Sequence, residues 1–146
     1  MTDDLRSELA HLSGFIALIG LQFDTVSGEL VTGHLEVAPE HHTPWGIVHG
    51  GVYASMIESA ASLGASIAVL EDGRYAVGVN NQTDFLRPHR LGRLDLRAAP
   101  VQQGHALQLW VVEISNAEGQ AVARGQVRLF NQALATPPQG SNQEVP

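Results

Sequence analysis

A chain of 146 residues is the size of one domain with a single sizeable core. Its composition, 44% hydrophobic and 16% charged, is ordinary for a globular protein, and the absence of cysteine excludes disulfides, thiolate metal sites and Cys nucleophiles. The net charge of −7 argues against nucleic-acid binding; no run of about 18 apolar residues marks a membrane span, and the acidic start lacks the order of a secretory signal. A cytoplasmic protein with no metal, nucleic-acid partner or membrane partner is the expectation.

Residues 2–12 read as a short amphipathic helix, with Leu5, Leu9 and Leu12 spaced to dock on one side. Ser13-Gly14 interrupts it, and FIALIG suits one further helical turn. From Leu21 the period changes to two. LQFDTVSG and GELVTGHLEVA alternate as strands do, placing Val31, Leu35 and Val37 on one face with Gly33, and Ser27-Gly28 turns between them. Pro39 and the HHTPWG loop lead into the stretch that organises the chain, Thr43 to Leu70.

In that stretch Pro44, Gly46 and the Gly50-Gly51 pair mark a loop, followed by about five turns of helix rich in Ala, Leu, Ile and Met. At 100° per residue, Val52, Met56, Ala60, Leu63 and Ile67 form an apolar face, and Ser55, Ser59, Ser62 and Ser66 form a narrow polar stripe. Glu58 is the one charged residue between Gly50 and Leu70, at the edge of that stripe and one turn before Ser62. A solvated helix face carries several long charged side chains. Small hydroxyls around a lone carboxylate point instead to a polar pocket in a buried helix, where a ligand's polar groups compensate the charge. Gly50 and Gly51 let a ligand approach the backbone, and unpaired N–H groups at a helix start can hold developing negative charge. His49 stands immediately before them. Singly, these features read more readily as a turn, an incidental cap and a surface carboxylate. Together, on a helix with no other charge, they read as a site.

Glu71-Asp72-Gly73 ends the helix. RYAVGVNNQTDFL, LGRLDLRAAPVQQ, HALQLWVVEIS and QAVARGQVRLFN follow as the strands of a meander, with turns at Gln102-Gln103-Gly104 and around Asn116 to Gly119. Asn80, Asn81, Gln82 and Asp84 make a polar strand end that either lines a pocket or caps a turn. All eight basic residues are Arg, and Arg87, Arg90, Arg93 and Arg97 crowd into RPHRLGRLDLR. That strip fits a small phosphorylated ligand, since Arg offers a planar fork of donors, or else is a solvated strand. Beyond Asn131 there is no periodicity, so one domain over 1–131 and a flexible tail over 132–146 are expected. The order of elements predicts an α+β fold in which five or six antiparallel strands wrap one long central helix, with two-fold self-association.

TPWGIVHGGVYASMIESAASLG resembles the signature of the hotdog-fold acyl-CoA thioesterases of the phenylacetate-pathway and 4-hydroxybenzoyl-CoA type. The matching residues are His49-Gly50-Gly51 and an acidic residue seven positions after the second glycine, Glu58; FLRP at Phe85 to Pro88 is a weaker match, and the resemblance spans about residues 15–131. It implies a homodimer, further paired as a dimer of dimers, whose sheets join edge to edge with the sites between subunits. Glu58 of one subunit would be the nucleophile or the base that activates water. The Gly50 N–H of the other would polarise the thioester carbonyl, His49 would hold the loop, and Ser62 would stand beside the carboxylate. Arg87 and Arg90 are the candidates for the CoA phosphates, ahead of Arg93 and Arg97, and Gly51, Asn81 and Asp84 for further substrate contacts. The CoA moiety belongs to the substrate and no cofactor is implied.

The chain departs from the family pattern at Thr43, fifteen residues before Glu58, where an Asn or Gln is usual. A hydroxyl spans less distance than an amide and lacks its pair of donors. Three readings follow: a thioesterase for an aromatic acyl-CoA, which Glu rather than Asp at position 58 resembles; a thioesterase for medium-chain aliphatic acyl-CoA; and a hotdog domain that binds acyl-CoA without cleaving it.

Overall fold

The computed structural model describes residues 14–135, so the helix expected over 2–12 and residues 136–146 of the tail expected over 132–146 lie outside the described residues, while 132–133 continue the last strand. FIALIG does form a helical turn, α1 (Gly14–Ile19). The alternating segments form β1 (Gln22–Val26) and β2 (Val31–Val37), closed by a turn in which Ser27 N–H donates to the Leu30 carbonyl at 2.9 Å. A short 3-10 turn (Pro39–His41) precedes the long helix α2 (Gly50–Leu70). Four strands follow: β3 (Arg74–Phe85), β4 (Gly92–Gln103), β5 (Leu107–Asn116) and β6 (Ala121–Ala133).

All six strands belong to one antiparallel sheet ordered β1-β2-β4-β5-β6-β3. The β4-β5-β6 meander forms as expected, but β3 does not pair with β4. It lies at the far edge beside β6, and β4 pairs with β2 instead. The link of residues 86–91 contains Pro88 and no tight-turn pair, so no hairpin joins β3 to β4, and it runs beside the start of the helix, where Val48 N–H donates to the His89 carbonyl.

The sheet curves around α2, which touches β2 through β6. The strip of α2 that reaches the core is turned from the expected one. Of the expected face Met56, Ala60 and Ile67 are buried but Val52 and Leu63 are only half-buried, and Tyr53, Ile57, Ala61, Gly64 and Ala65 join the core beside them. Small residues win here because the sheet comes in close. Fully buried Trp110 of β5 lies against Gly64, where an added Cβ would fall 2.5 Å from the indole Cη2. The indole N–H donates to Gln108 Oε1 (2.9 Å), and Gln108 Nε2 donates to the Ala65 carbonyl (2.9 Å) and to Asn131 Oδ1 (2.8 Å). Those buried polar groups are therefore satisfied, and they fix the helix to two strands at once. By length and mean hydropathy, 1.3, α2 would also suit a membrane span, which the sequence reading did not expect. The strands packed on it make it a core helix.

Candidate active site

The start of α2 is built by His49. Its backbone is extended (φ −67°, ψ 135°), its Nδ1 accepts the Gly51 N–H at 2.8 Å, and its carbonyl accepts the Val52 N–H at 2.9 Å. The Gly50 N–H makes no hydrogen bond among the described residues. One donor is thus left open at the positive end of a 21-residue helix.

The loop in front of it is tied down at many points. His49 N–H donates to the His41 carbonyl (2.9 Å), and Val48 N–H to that of His89 (2.9 Å). Arg90 donates to the carbonyls of Trp45 (3.2 Å) and Gly46 (3.1 Å), while His42 Nε2 donates to the Arg90 carbonyl (2.6 Å). Arg90 thus serves the loop with one guanidinium nitrogen. Buried His41 accepts the Ala38 N–H on Nδ1 (2.9 Å) and donates from Nε2 to the Ile19 carbonyl (2.8 Å), which makes it a neutral strut between α1 and the loop. Thr43 is used inside its own turn: its hydroxyl accepts the Trp45 N–H at 3.3 Å.

Thr43, Ile47, Val48, Gly50, Tyr53, Phe85, Leu86, Arg87 and Pro88 line a cavity of about 350 Å³ at this helix start. The Phe85 ring stands against Gly50 and packs on Tyr53 with ring centroids 6.1 Å apart. Tyr53 is 3% exposed, and its hydroxyl has no partner among the described residues. Burial pushes its pKa up from 10.0 to about 12. The folded chain then keeps a neutral phenol where the unfolded chain ionises, so this stability is intact below the unfolded value and is lost as pH rises towards 12. The loss amounts to roughly 2–3 kcal/mol when complete. Tyr53→Phe keeps the ring and is expected to flatten it, as read by urea unfolding across the alkaline range.

Glu58 lies two turns further along α2. Its Oε1 accepts the Ser62 hydroxyl at 3.3 Å and its Oε2 accepts Asn81 Nδ2 at 3.0 Å. Gly78 of β3 leaves the space that Oε1 occupies; a Cβ there would collide with the carboxylate. Asn81 reaches Glu58 because of a β-bulge. The pairing of β3 with β6 steps from Gly78–Leu129 to Asn80–Arg128, leaving Val79 as the extra residue. Before the bulge Ala76 and Gly78 face the helix; after it Asn81 and Thr83 do.

Asp84 and Gln82 therefore point to the other face, where with Arg124, Gly125 and Gln126 they line a separate cavity of about 260 Å³. Arg87 donates to the Ala121 carbonyl (3.4 Å) and lines the cavity at Gly50. Arg93 and Arg97 lie away from it on β4: Arg93 is bound to Asp95 at 2.7 Å, and Arg97 stands opposite Glu113. Sequence reasoning missed Gly78, Thr83, the bulge and the packing of Phe85 on Gly50. A lone glycine inside a strand was the available signal for the first, since it marks a close approach. No group of three or more His, Asp or Glu residues is arranged to hold a metal among the described residues.

Residues 46–123 match the family model described as Thioesterase superfamily. Rv1847 of Mycobacterium tuberculosis is 43% identical over 120 residues, covering 80% of this chain and 85% of the relative. The structure of that protein superposes with a TM-score of 0.81 at 41% identity, over 86% of this chain and 100% of the other. The 1,4-dihydroxy-2-naphthoyl-CoA thioesterase 2 of Arabidopsis thaliana is 34% identical over 104 residues, covering 70% of this chain and 65% of that one. The structure of thioesterase HI1161 from Haemophilus influenzae gives a TM-score of 0.82 at 25% identity, over 90% and 93% of the two chains. A six-stranded antiparallel sheet wrapped on one long helix is the shared architecture, and the chain belongs to the thioesterase superfamily as a hotdog-fold thioester hydrolase.

Proposed function

We propose that this enzyme hydrolyses an aromatic acyl-CoA to the free acid and CoA at a site shared by two copies of the chain. The observation that carries the shared site is a distance. Gly50 and Glu58 are eight residues apart on one helix, about 12 Å along its axis. Helical side chains lean towards the N-terminus, which recovers only part of that gap. One thioester carbonyl cannot meet both groups of the same chain, so a second copy supplies the other half. The outer edge of β3 supports this, because among the described residues β3 pairs only with β6, and it exposes Val77 (41%) and Val79 (60%) along twelve residues. Pairing two such edges by a two-fold axis would extend the sheet across a dimer. Two dimers would then assemble further.

In this reading the Gly50 N–H holds the thioester oxygen as it gains charge. Glu58 either attacks the carbonyl carbon, forming an anhydride that water cleaves, or takes the proton of a water that attacks directly. The carbon–sulfur bond breaks in both routes, CoA leaves as the thiolate, and no cofactor is required. Arg87, which lines the cavity, and the remaining donors of Arg90 are the candidates for the CoA phosphates. An aromatic acyl group is favoured by the Tyr53–Phe85 pair in the cavity wall, by Glu at position 58 and by the likeness to a naphthoyl-CoA thioesterase. The test is free-thiol release from a panel of aryl and aliphatic acyl-CoAs. Faster release from aryl substrates is the expected result. Preference for aliphatic chains would overturn the aromatic assignment, and tight binding without release would make the protein a binding module.

A further inference from the structure

We propose that Asn81 is the positioning residue of Glu58, held in its working orientation by the Thr83 hydroxyl; the inference rests on the hydrolytic reading above. Every polar atom of the Asn81 side chain is committed. Nδ2 donates to Glu58 Oε2 (3.0 Å) and to the Ala54 carbonyl (3.2 Å), and Oδ1 accepts from Thr83 Oγ1 (2.6 Å). The two acceptors facing Nδ2 decide which way the amide points. Flipped, it would set Oδ1 against a carboxylate and a carbonyl, three acceptors together, with only the Thr83 hydroxyl left to Nδ2. Thr83 adds a donor on the side where the correct orientation needs one.

The consequence for Glu58 is a fixed carboxylate plane. Ser62 holds one oxygen, Asn81 holds the other, and the missing side chain of Gly78 leaves room for the group between helix and strand. Asn81 also grips the Ala54 carbonyl one turn before Glu58, so it ties the carboxylate to the main chain of its own helix. The bulge at Val79 is what turns Asn81 and Thr83 inward together; without it their neighbours Asn80 and Gln82 would face the helix. A carboxylate placed about 1 Å wrongly loses rate and not binding. A residue whose donors are all engaged by the protein therefore acts on kcat.

The test compares Asn81→Ala, Thr83→Val, Thr83→Ser and the Asn81→Ala/Thr83→Val double variant, with kcat and KM measured separately. Asn81→Ala is expected to lower kcat about 30-fold with KM little changed. Thr83→Val, which swaps the hydroxyl for a methyl, should lower kcat about fivefold, and Thr83→Ser should stay within about twofold of wild type. The double variant should be no slower than Asn81→Ala, because Thr83 acts through Asn81. A raised KM with unchanged kcat in Asn81→Ala would make Asn81 a substrate contact and overturn the proposal. So would a Thr83→Val loss that persists in the Asn81→Ala background. A readout independent of turnover separates this from failure of the hydrolytic reading. The Asn81 side-chain amide signals in a nitrogen-15 spectrum should shift in Glu58→Gln and in Thr83→Val. Signals indifferent to both would overturn the inference alone, whereas a wild type that cleaves no acyl-CoA would overturn the functional reading and the positioning role with it.

Discussion

Glu58→Gln is expected to lower kcat/KM for thioester hydrolysis by about a thousandfold, with the fold intact. The amide has the shape of the carboxylate; with its oxygen towards Asn81 Nδ2 and its NH2 towards the Ser62 hydroxyl, which then accepts, both contacts are kept and the helix and β3 stay where they are. It can neither attack a carbonyl carbon nor take a proton from water. The polarising N–H at Gly50 survives, which leaves a residual rate above that of water. Circular dichroism and thermal unfolding would show the unchanged fold, and thiol release would show the loss. A loss below about tenfold would mean that another group does the chemistry.

Trp110→Ala is expected to destabilise the fold by about 4 kcal/mol, since Trp110 is the largest of the fully buried side chains. The indole is fully buried, fills the space above Gly64, and caps the Gln108 oxygen that faces it. Removing it leaves a cavity between sheet and helix and takes a partner from a buried amide. A size exchange tests the fit more sharply. Gly64→Ala alone should cost about 2 kcal/mol, because its Cβ meets the indole, and Trp110→Phe alone should cost about as much. Combined, the two should cost clearly less than their sum, since the smaller ring makes room for the methyl. Additive losses in urea unfolding would mean that the helix and sheet do not touch as described.

The parts of this fold that the sequence makes legible are those fixed by local contrast. An apolar run bounded by Gly50-Gly51 and Glu71-Asp72-Gly73 reads as the central helix, and Glu58 stands out because nothing else on that helix is charged. The core-facing strip is harder to read. Ala60, Ala61, Gly64 and Ala65 carry little hydrophobic weight and are buried because they are small, so larger Val52 and Leu63 dominate any periodicity. The move of β3 to the far edge is set by pairing with β6, some fifty residues away, which local turn signals do not carry. The bulge at Val79 is the costliest gap. One extra residue in RYAVGVNNQTDF reverses which side chains face the helix, separating Asn81 from Asp84 where the sequence groups them. The capping role of His49 depends on which ring atom meets Gly51, a matter of geometry that spacing alone leaves open.

The shared site is tested most directly by mixing two inactive chains. Glu58→Gln removes the carboxylate, and Gly50→Pro removes the open N–H. Pro is accepted at the first position of a helix, and His49 already has the extended backbone that a following Pro imposes. The new side-chain carbon would lie 2.7 Å from Phe85 Cζ, and that ring, 60% exposed, has room to swing aside. Gly50→Ala adds the same carbon and keeps the N–H, so it should remain active. Each of the two damaging variants alone should release little thiol. Co-expressed and purified as mixed dimers, they should regain about half the wild-type rate per dimer, because Glu58 of one chain then works with Gly50 of the other. Mixed dimers that stay as inactive as their parents, alongside an active Gly50→Ala, would contradict a site built from two chains.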